Sequence, residues 1–318
     1  MKKILLATTA LVGFAGAAAA EVALSGYAEI GVGGGSAVDT QFWNDIDVTF
    51  TLSGESDSGL SFGATIDLDE LNGDDISAVA GGNGCSGTSH CPDGENDSSV
   101  WVSGSFGKVT LGDTDGALDW AVSEIYLGTA LADDHSTHVG SYWNTGLDGL
   151  YDGQVMRYEY SFGDFGAAFS AELDDTGTGD AALGIGVKWS GDFNGTAVDA
   201  GLGYQTADTF DVTALSLGAT MANGVSAKLG YATGNLFHSA LDVDWVGLGV
   251  GYSANGLTVQ ANWGQYDDGV TDVSGWGLVA NYDLGGGAVA MFGYGSGDLS
   301  SFNGGGDETW SAGLGLSF

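Results

Sequence analysis

The chain has 318 residues, 58 of them glycine and one proline, with 11% aromatic side chains and 42 acidic against six basic residues, a formal net charge of −36. That charge excludes nucleic acid as a partner, because binding a polyphosphate needs clustered Lys and Arg to displace counterions. So much glycine argues against a helical enzyme, while the aromatic content and near-absence of proline argue against a disordered secreted tail.

Lys2 and Lys3, a mostly apolar stretch over 4–16, and Ala18, Ala19 and Ala20 before Glu21 form the pattern of a secretory signal peptide. The apolar run is short for a membrane helix, which needs about 20 residues. Residues 1–20 are therefore expected to be removed, leaving 21–318 as a single domain. The leader takes two basic residues with it. Lys108, Arg157, Lys188 and Lys228 then face all 42 acids, a net charge of −38. Such a field attracts cations and repels anions.

From residue 22 onward the chain alternates with period two. Along 59–69, Leu60, Phe62, Ala64, Ile66 and Leu68 share one face, and Ser61, Gly63, Thr65, Asp67 and Asp69 the other. A soluble sandwich alternates in the same way, so the connections have to separate the two folds. Sixteen strands are predicted, near 22–33, 41–53, 59–69, 98–105, 108–112, 154–162, 165–173, 181–189, 196–206, 210–221, 225–234, 243–253, 257–266, 273–283, 287–295 and 308–318. Tight turns such as Gly163-Asp164 and Ala254-Asn255-Gly256 alternate with long segments over 70–97, 113–153, 174–180, 235–242 and 296–307. Short turns at one end and long loops at the other are the pattern of an outer-membrane barrel. The predicted fold class is thus all-β, a 16-stranded antiparallel transmembrane β-barrel. Aromatics near strand ends, among them Phe165, Trp189, Tyr252, Tyr282, Tyr294 and Trp310, fit interfacial girdles.

Within the first long loop lie Cys85 and Cys91, with His90 between them. In an exported chain a Cys85–Cys91 disulfide is the default expectation. A zinc site is the alternative, but two cysteines and one histidine fall short of a closed ligand set. At the other end of the chain, Trp310, Ala312, Leu314, Leu316 and Phe318 alternate to the final residue. A Phe closing an amphipathic strand resembles the signal read by outer-membrane insertion machinery.

Several stretches carry a family likeness: EVALSGYAEIGVG at 21–33, DSGLSFGATIDLDE at 57–70, VWVSGSFGKVTLGDTDGA at 100–117, RYEYSFGDFGAAFSA at 157–171, NYDLGGGAVAMFGYG at 281–295 and the closing AGLGLSF. In this order they resemble the Rhodobacter-type general diffusion porins of alphaproteobacteria. The resemblance implies a homotrimer of barrels in the outer membrane, in contact with its lipid and lipopolysaccharide. It also implies passive passage of small hydrophilic solutes, a loop after the fifth strand that folds into the lumen, and a loop over 70–97 that reaches a neighbouring subunit.

The loop over 113–153 is the longest connection, and it is the expected pore constriction. It carries Asp113, Asp115, Asp119, Glu124, Asp133, Asp134, Asp148 and Asp152, with no Lys or Arg. Leu118, Trp120, Ile125, Tyr126 and Leu131 are expected to pack it against the inner wall while the carboxylates face water. Related porins oppose this loop with a basic cluster. Here, following the strands up and down places Lys108, Lys188 and Lys228 near the short-turn ends and leaves only Arg157 to reach the narrow zone. A negative ring selects cations. No cofactor is required, and Ca²⁺ is the one candidate ligand, at Asp113 with Asp115 and at Asp133 with Asp134, because crowded carboxylates invite an oxygen-ligated cation.

Other function classes find less support. His90, His135, His138 and His238 all fall on predicted loops, and none forms the nucleophile–base–orienter set that an enzyme needs. A calcium-binding adhesive barrel and a substrate-specific channel are the remaining alternatives to a general pore.

Overall fold

A computed structural model describes residues 21–36, 39–68, 98–133, 146–151, 153–174, 176–235, 242–297 and 308–318. The leader, Cys85, Cys91, Asp134 and Asp152 lie outside the described residues. The strands are β1 (Glu21–Gly35), β2 (Gln41–Glu55), β3 (Ser61–Leu68), β4 (Ser98–Gly104), β5 (Gly107–Gly112), β6 (Val155–Phe162), β7 (Phe165–Glu172) and β8 (Ala182–Phe193). They continue as β9 (Thr196–Ala207), β10 (Phe210–Met221), β11 (Val225–Asn235), β12 (Val243–Ala254), β13 (Leu257–Asp267), β14 (Asp272–Gly285), β15 (Ala288–Gly297) and β16 (Glu308–Ser317). Each strand pairs antiparallel with its sequence neighbours, and β1 pairs with β16 to close the barrel. Beyond the ladder, the Phe318 N–H donates to the Gly26 carbonyl at 2.9 Å.

The alternation read from the sequence becomes an inside and an outside. Leu202, Leu217, Leu229, Leu248 and Val250 all face outward, where hydrocarbon takes the place of a core. Two aromatic girdles bound this band. Phe162 stacks on Phe165 with centroids 5.8 Å apart and Trp189 leans on Phe193 near the short turns, while Trp276 meets Tyr294 at 5.5 Å near the long loops.

The strand boundaries depart from the predicted ones in instructive places. β8 runs on to Phe193 because Gly191 and Phe193 continue its outward face, and Asn194 and Gly195, both at positive φ, then turn it tightly into β9. Asn255 (φ 53°) and Gly256 (φ 82°) make the same left-handed pair between β12 and β13, the geometry of a two-residue hairpin turn. At the long-loop end two connections are short, since only Asp208 and Thr209 separate β9 from β10 and residues 268–271 separate β13 from β14. Long and short connections therefore do not alternate without exception.

The buried hydrophobic core of the described residues lies inside the barrel. It joins Leu118, Ile125, Tyr126 and Leu147 of the loop after β5 to Ala182, Ala207, Val212, Ala214, Ala232 and Trp245 of the wall. The two faces of the wall should accordingly respond differently to charge. Leu217→Arg on the outer face should cost about 2–4 kcal/mol, whereas Thr65→Arg on the inner face should cost little. Reversible urea unfolding in lipid vesicles measures both.

Candidate functional site

Between β5 and β6 the chain enters the lumen. Its helix α1 (Ala117–Ala121) packs on β7, β8 and β9, and a 3-10 turn at Leu131–Asp133 packs on β1, β2, β15 and β16. The segment over 117–132 thus follows the inner wall around more than half of the barrel. A five-residue helix has little intrinsic stability, so the wall must hold it.

The first device that holds it is a track of inward-facing glycines. A Cβ on Gly186 would collide with the Ala117 carbonyl, one on Gly201 with the Ala121 carbonyl, and one on Gly249 with the Ile125 carbonyl. Without side chains at these positions, the loop backbone lies directly on the sheet. Leu118 and Ala117 are fully buried there, and burying a leucine side chain contributes about 1.5–3 kcal/mol.

The second device is a set of wall side chains that serve the loop's peptide groups. Ser170 accepts from Ala117 N at 2.8 Å and Ser216 from Ser123 N at 2.8 Å. The Gln260 amide accepts from Leu127 N at 2.5 Å and donates to the Gly128 carbonyl at 2.7 Å, and Asn281 donates to the Thr129 carbonyl at 2.8 Å. Glu29, 4% exposed, accepts from Ala132 N at 2.6 Å and from the Trp43 indole at 2.8 Å. Ala132 sits at φ 65°, a conformation costing roughly 1–2 kcal/mol for a residue with a Cβ, and the bond to Glu29 holds it there.

The two limbs of the loop are tied at its base. Gly116 N donates to Asp148 Oδ2 at 2.7 Å, Gln205 Nε2 donates to Asp148 Oδ1 at 2.6 Å, and Leu147 N donates to Gln205 Oε1 at 2.7 Å. Glu172 then accepts from Tyr151 N at 3.1 Å and Gly153 N at 2.9 Å.

The basic residues depart from expectation. Arg157 does reach the loop, donating to the Asp115 carbonyl at 2.5 Å, lying 3.7 Å from the Asp115 carboxylate and bonding Glu159 at 3.0 Å. Lys188 and Lys228, expected to lie too far toward the short turns, reach it as well. Lys188 donates to the Trp120 carbonyl at 3.0 Å with its ammonium 3.6 Å from the Trp120 ring centre, and Lys228 donates to the Glu124 carbonyl at 2.8 Å. Their long stems span the gap because the loop itself descends to meet them. Lys108 remains on the wall, 5.5 Å from the Trp101 ring.

Of the predicted constriction acids, Asp113 and Asp115 are exposed and Glu124 is half-buried. Asp119 and Asp148 do not simply face water. Burial, with Asp115, Asp148 and Glu124 nearby, pushes the Asp119 carboxyl up to about 8, against the pull of Arg157. Burial raises Asp148 to about 6 despite the bonds from Gly116 and Gln205. The backbone of Asp133 closes the 3-10 turn that packs on β1, β2, β15 and β16. Among the described residues no three carboxylate, histidine or cysteine groups converge as a metal set; Asp134, one of the four expected calcium ligands, lies outside them.

Sequence reasoning did not single out Glu29, Gln205, Gln260 or Asn281. The signal was weak: each lies on an inward-facing row, but Asn262 shares the row of Gln260, Asp199 that of Gln205 and Asp283 that of Asn281.

The Gram-negative porin family matches residues 7–301 of this chain. The chain belongs to that family. The porin of Rhodobacter capsulatus is 32% identical over 232 residues, 64% of this chain and 76% of its own length. A porin structure solved at 1.8 Å, 27% identical, matches with a TM-score of 0.67 over 94% of this chain and 100% of its own. The anion-selective porin of Comamonas acidovorans, 17% identical, shares the fold with a TM-score of 0.59 over 94% and 100%. This porin is accordingly an outer-membrane channel and not an enzyme.

Two outcomes follow for this porin. Gly201→Val should unseat α1 and lower single-channel conductance while the barrel still folds, at a cost of about 1–3 kcal/mol; bilayer recordings beside a heat-resistance assay test this. Raised carboxyl values mean that the seated loop holds protons more tightly than the unfolded chain does. Its stability therefore falls as pH rises from about 4, through the Asp148 value of about 6, to the Asp119 value of about 8. Acidification from pH 9 to pH 5 should remove two negative charges and weaken any cation preference, and Asp119→Asn should abolish the upper step in a reversal-potential titration.

Proposed function

We propose that this porin passes small hydrophilic solutes by passive diffusion through a water-filled pore that favours cations, and that it works as a homotrimer embedded in outer-membrane lipid and lipopolysaccharide. Trimer and lipid contacts are carried over from the family resemblance; the ion preference rests on this chain's own residues.

The observation that carries it is the charge of the wall from β2 to β6, which the described part of the loop leaves largely uncovered. Alternation turns Asp45, Asp47, Asp67 and Glu159 inward there. The inward cations of the same stretch are Lys108 and Arg157, and Arg157 is already paired with Asp115 and Glu159. Acidic groups therefore stand on both the loop side and the wall side, where a basic cluster would create a transverse field. Since the Comamonas channel named for anion selectivity shares the fold, architecture leaves the sign open and lining charge sets it.

A planar bilayer with a salt gradient tests the reading. The reversal potential should have the sign of a cation-permeable pore, and Asp45→Asn with Asp47→Asn should move it toward zero. Conductance steps in multiples of three should accompany insertion. An anionic reversal potential would reject the ion preference, and absence of conductance would favour an adhesive barrel.

A further inference from the structure

Beneath α1, on the short-turn side, the wall and the loop enclose a recess of about 400 Å³. Its charged lining consists of Lys188, Lys228, Asp164 and Asp199, with Ser190 and the Trp120 ring beside them. The cations here are not matched to the acids. Among the described residues the only ion pairs within 4 Å belong to Arg157, so neither lysine has a carboxylate at contact distance. Each ammonium donates once, to the carbonyl of Trp120 or Glu124, and an ammonium has three N–H donors.

Strand register explains how opposite charges are held near each other without touching. Gly218 of β10 is paired with Asp199 on one side and with Lys228 on the other. The Asp199 carboxylate lies over Gly218, where a Cβ would collide with both of its oxygens, so it leans toward Lys228. Ser123 of the loop donates to it at 3.2 Å and keeps it in that position. The result is an open dipole, with negative and positive ends facing one water-accessible space.

The balance of two ammonium and two carboxylate groups decides the ligand class. A simple cation or anion meets one attractive and one repulsive pair, so neither gains much. A molecule that carries both charges gains from each pair at once. We propose that this recess is a binding niche for small zwitterionic solutes of the α-amino acid type, with the solute carboxylate at Lys228 and its ammonium at Asp199, the two groups that flank Gly218. The niche rests on the pore reading above, which brings solute to it, and it gives a cation-favouring pore a stopping place for solutes with no net charge.

Glycine and its neutral isomer glycolamide separate the effects of charge and size. With the reconstituted channel in potassium chloride, glycine should reduce the open-channel current saturably, and glycolamide at equal concentration should not. In Lys228→Gln and in Asp199→Asn the apparent dissociation constant for glycine should rise about fivefold, the usual scale of one partly exposed charge contact. Because the probes are isomers, a variant that merely loosens the loop or changes the calibre moves both responses together. Equal responses to the two probes in the unaltered channel would overturn the niche, as would discrimination that survives unchanged in both variants. A protein that conducts no ions would instead overturn the pore reading itself, and the niche with it.

Discussion

Hydrocarbon offers no partner to a peptide N–H or C=O, so every backbone group of a membrane strand has to bond to another strand. The rest of this molecule depends on that requirement. It forces β1 onto β16, where Tyr27 faces Ser317 and Gly35 faces Thr309, and leaves no free edge. Closure in turn divides each strand into a lipid-facing and a lumen-facing set, since side chains alternate with a period of two. Once Leu217 and Leu229 are committed to the lipid, Ser216 and Lys228 have only the lumen to face.

Inside the barrel the same requirement returns in a different form. The described parts of the loop, 113–133 and 146–151, are largely irregular backbone, pressed against a sheet whose own peptide groups are already paired. The loop's N–H and C=O groups therefore need side chains. Ser170, Ser216, Gln205, Gln260 and Asn281 supply them, with Lys188, Lys228 and Arg157 capping carbonyls. The hydrophobic core follows the same logic. A barrel with a wet lumen has no centre to fill, and the buried apolar residues gather instead where the loop meets the wall, around Leu118, Ile125 and Trp245. Glycine makes that meeting close enough for dispersion and hydrogen bonding to act together.

Strand number, alternation and closure were legible in the sequence because each rests on a local pattern: Leu60 to Leu68 alternate wherever they are read, and Asn255-Gly256 is a turn by its own chemistry. The site was less legible. That Asp113 and Asp115 begin a lumen-directed loop follows from its length and composition, but the environment of Asp119 and Asp148 depends on which wall residues come near. The reach of Lys188 and Lys228 is hidden for the same reason. Strand position gives the depth of a Cα, whereas contact depends on how far the loop descends. The bond between Gln260 and Leu127 joins residues 133 positions apart, and no local pattern announces such a pair.

The seating of the loop also imposes an order on assembly. Its resting place is made of β7 to β16 together with β1 and β2, most of which follow it in the chain, and Thr129 waits for Asn281 across 152 positions. Contacts over such separations form late, because the intervening chain must first be ordered. The last contacts of the loop therefore cannot form before the wall strands that receive them are in place. Until Asn281 and Glu29 both stand in the wall, the loop has no complete seat, and the calibre of the lumen is not yet set.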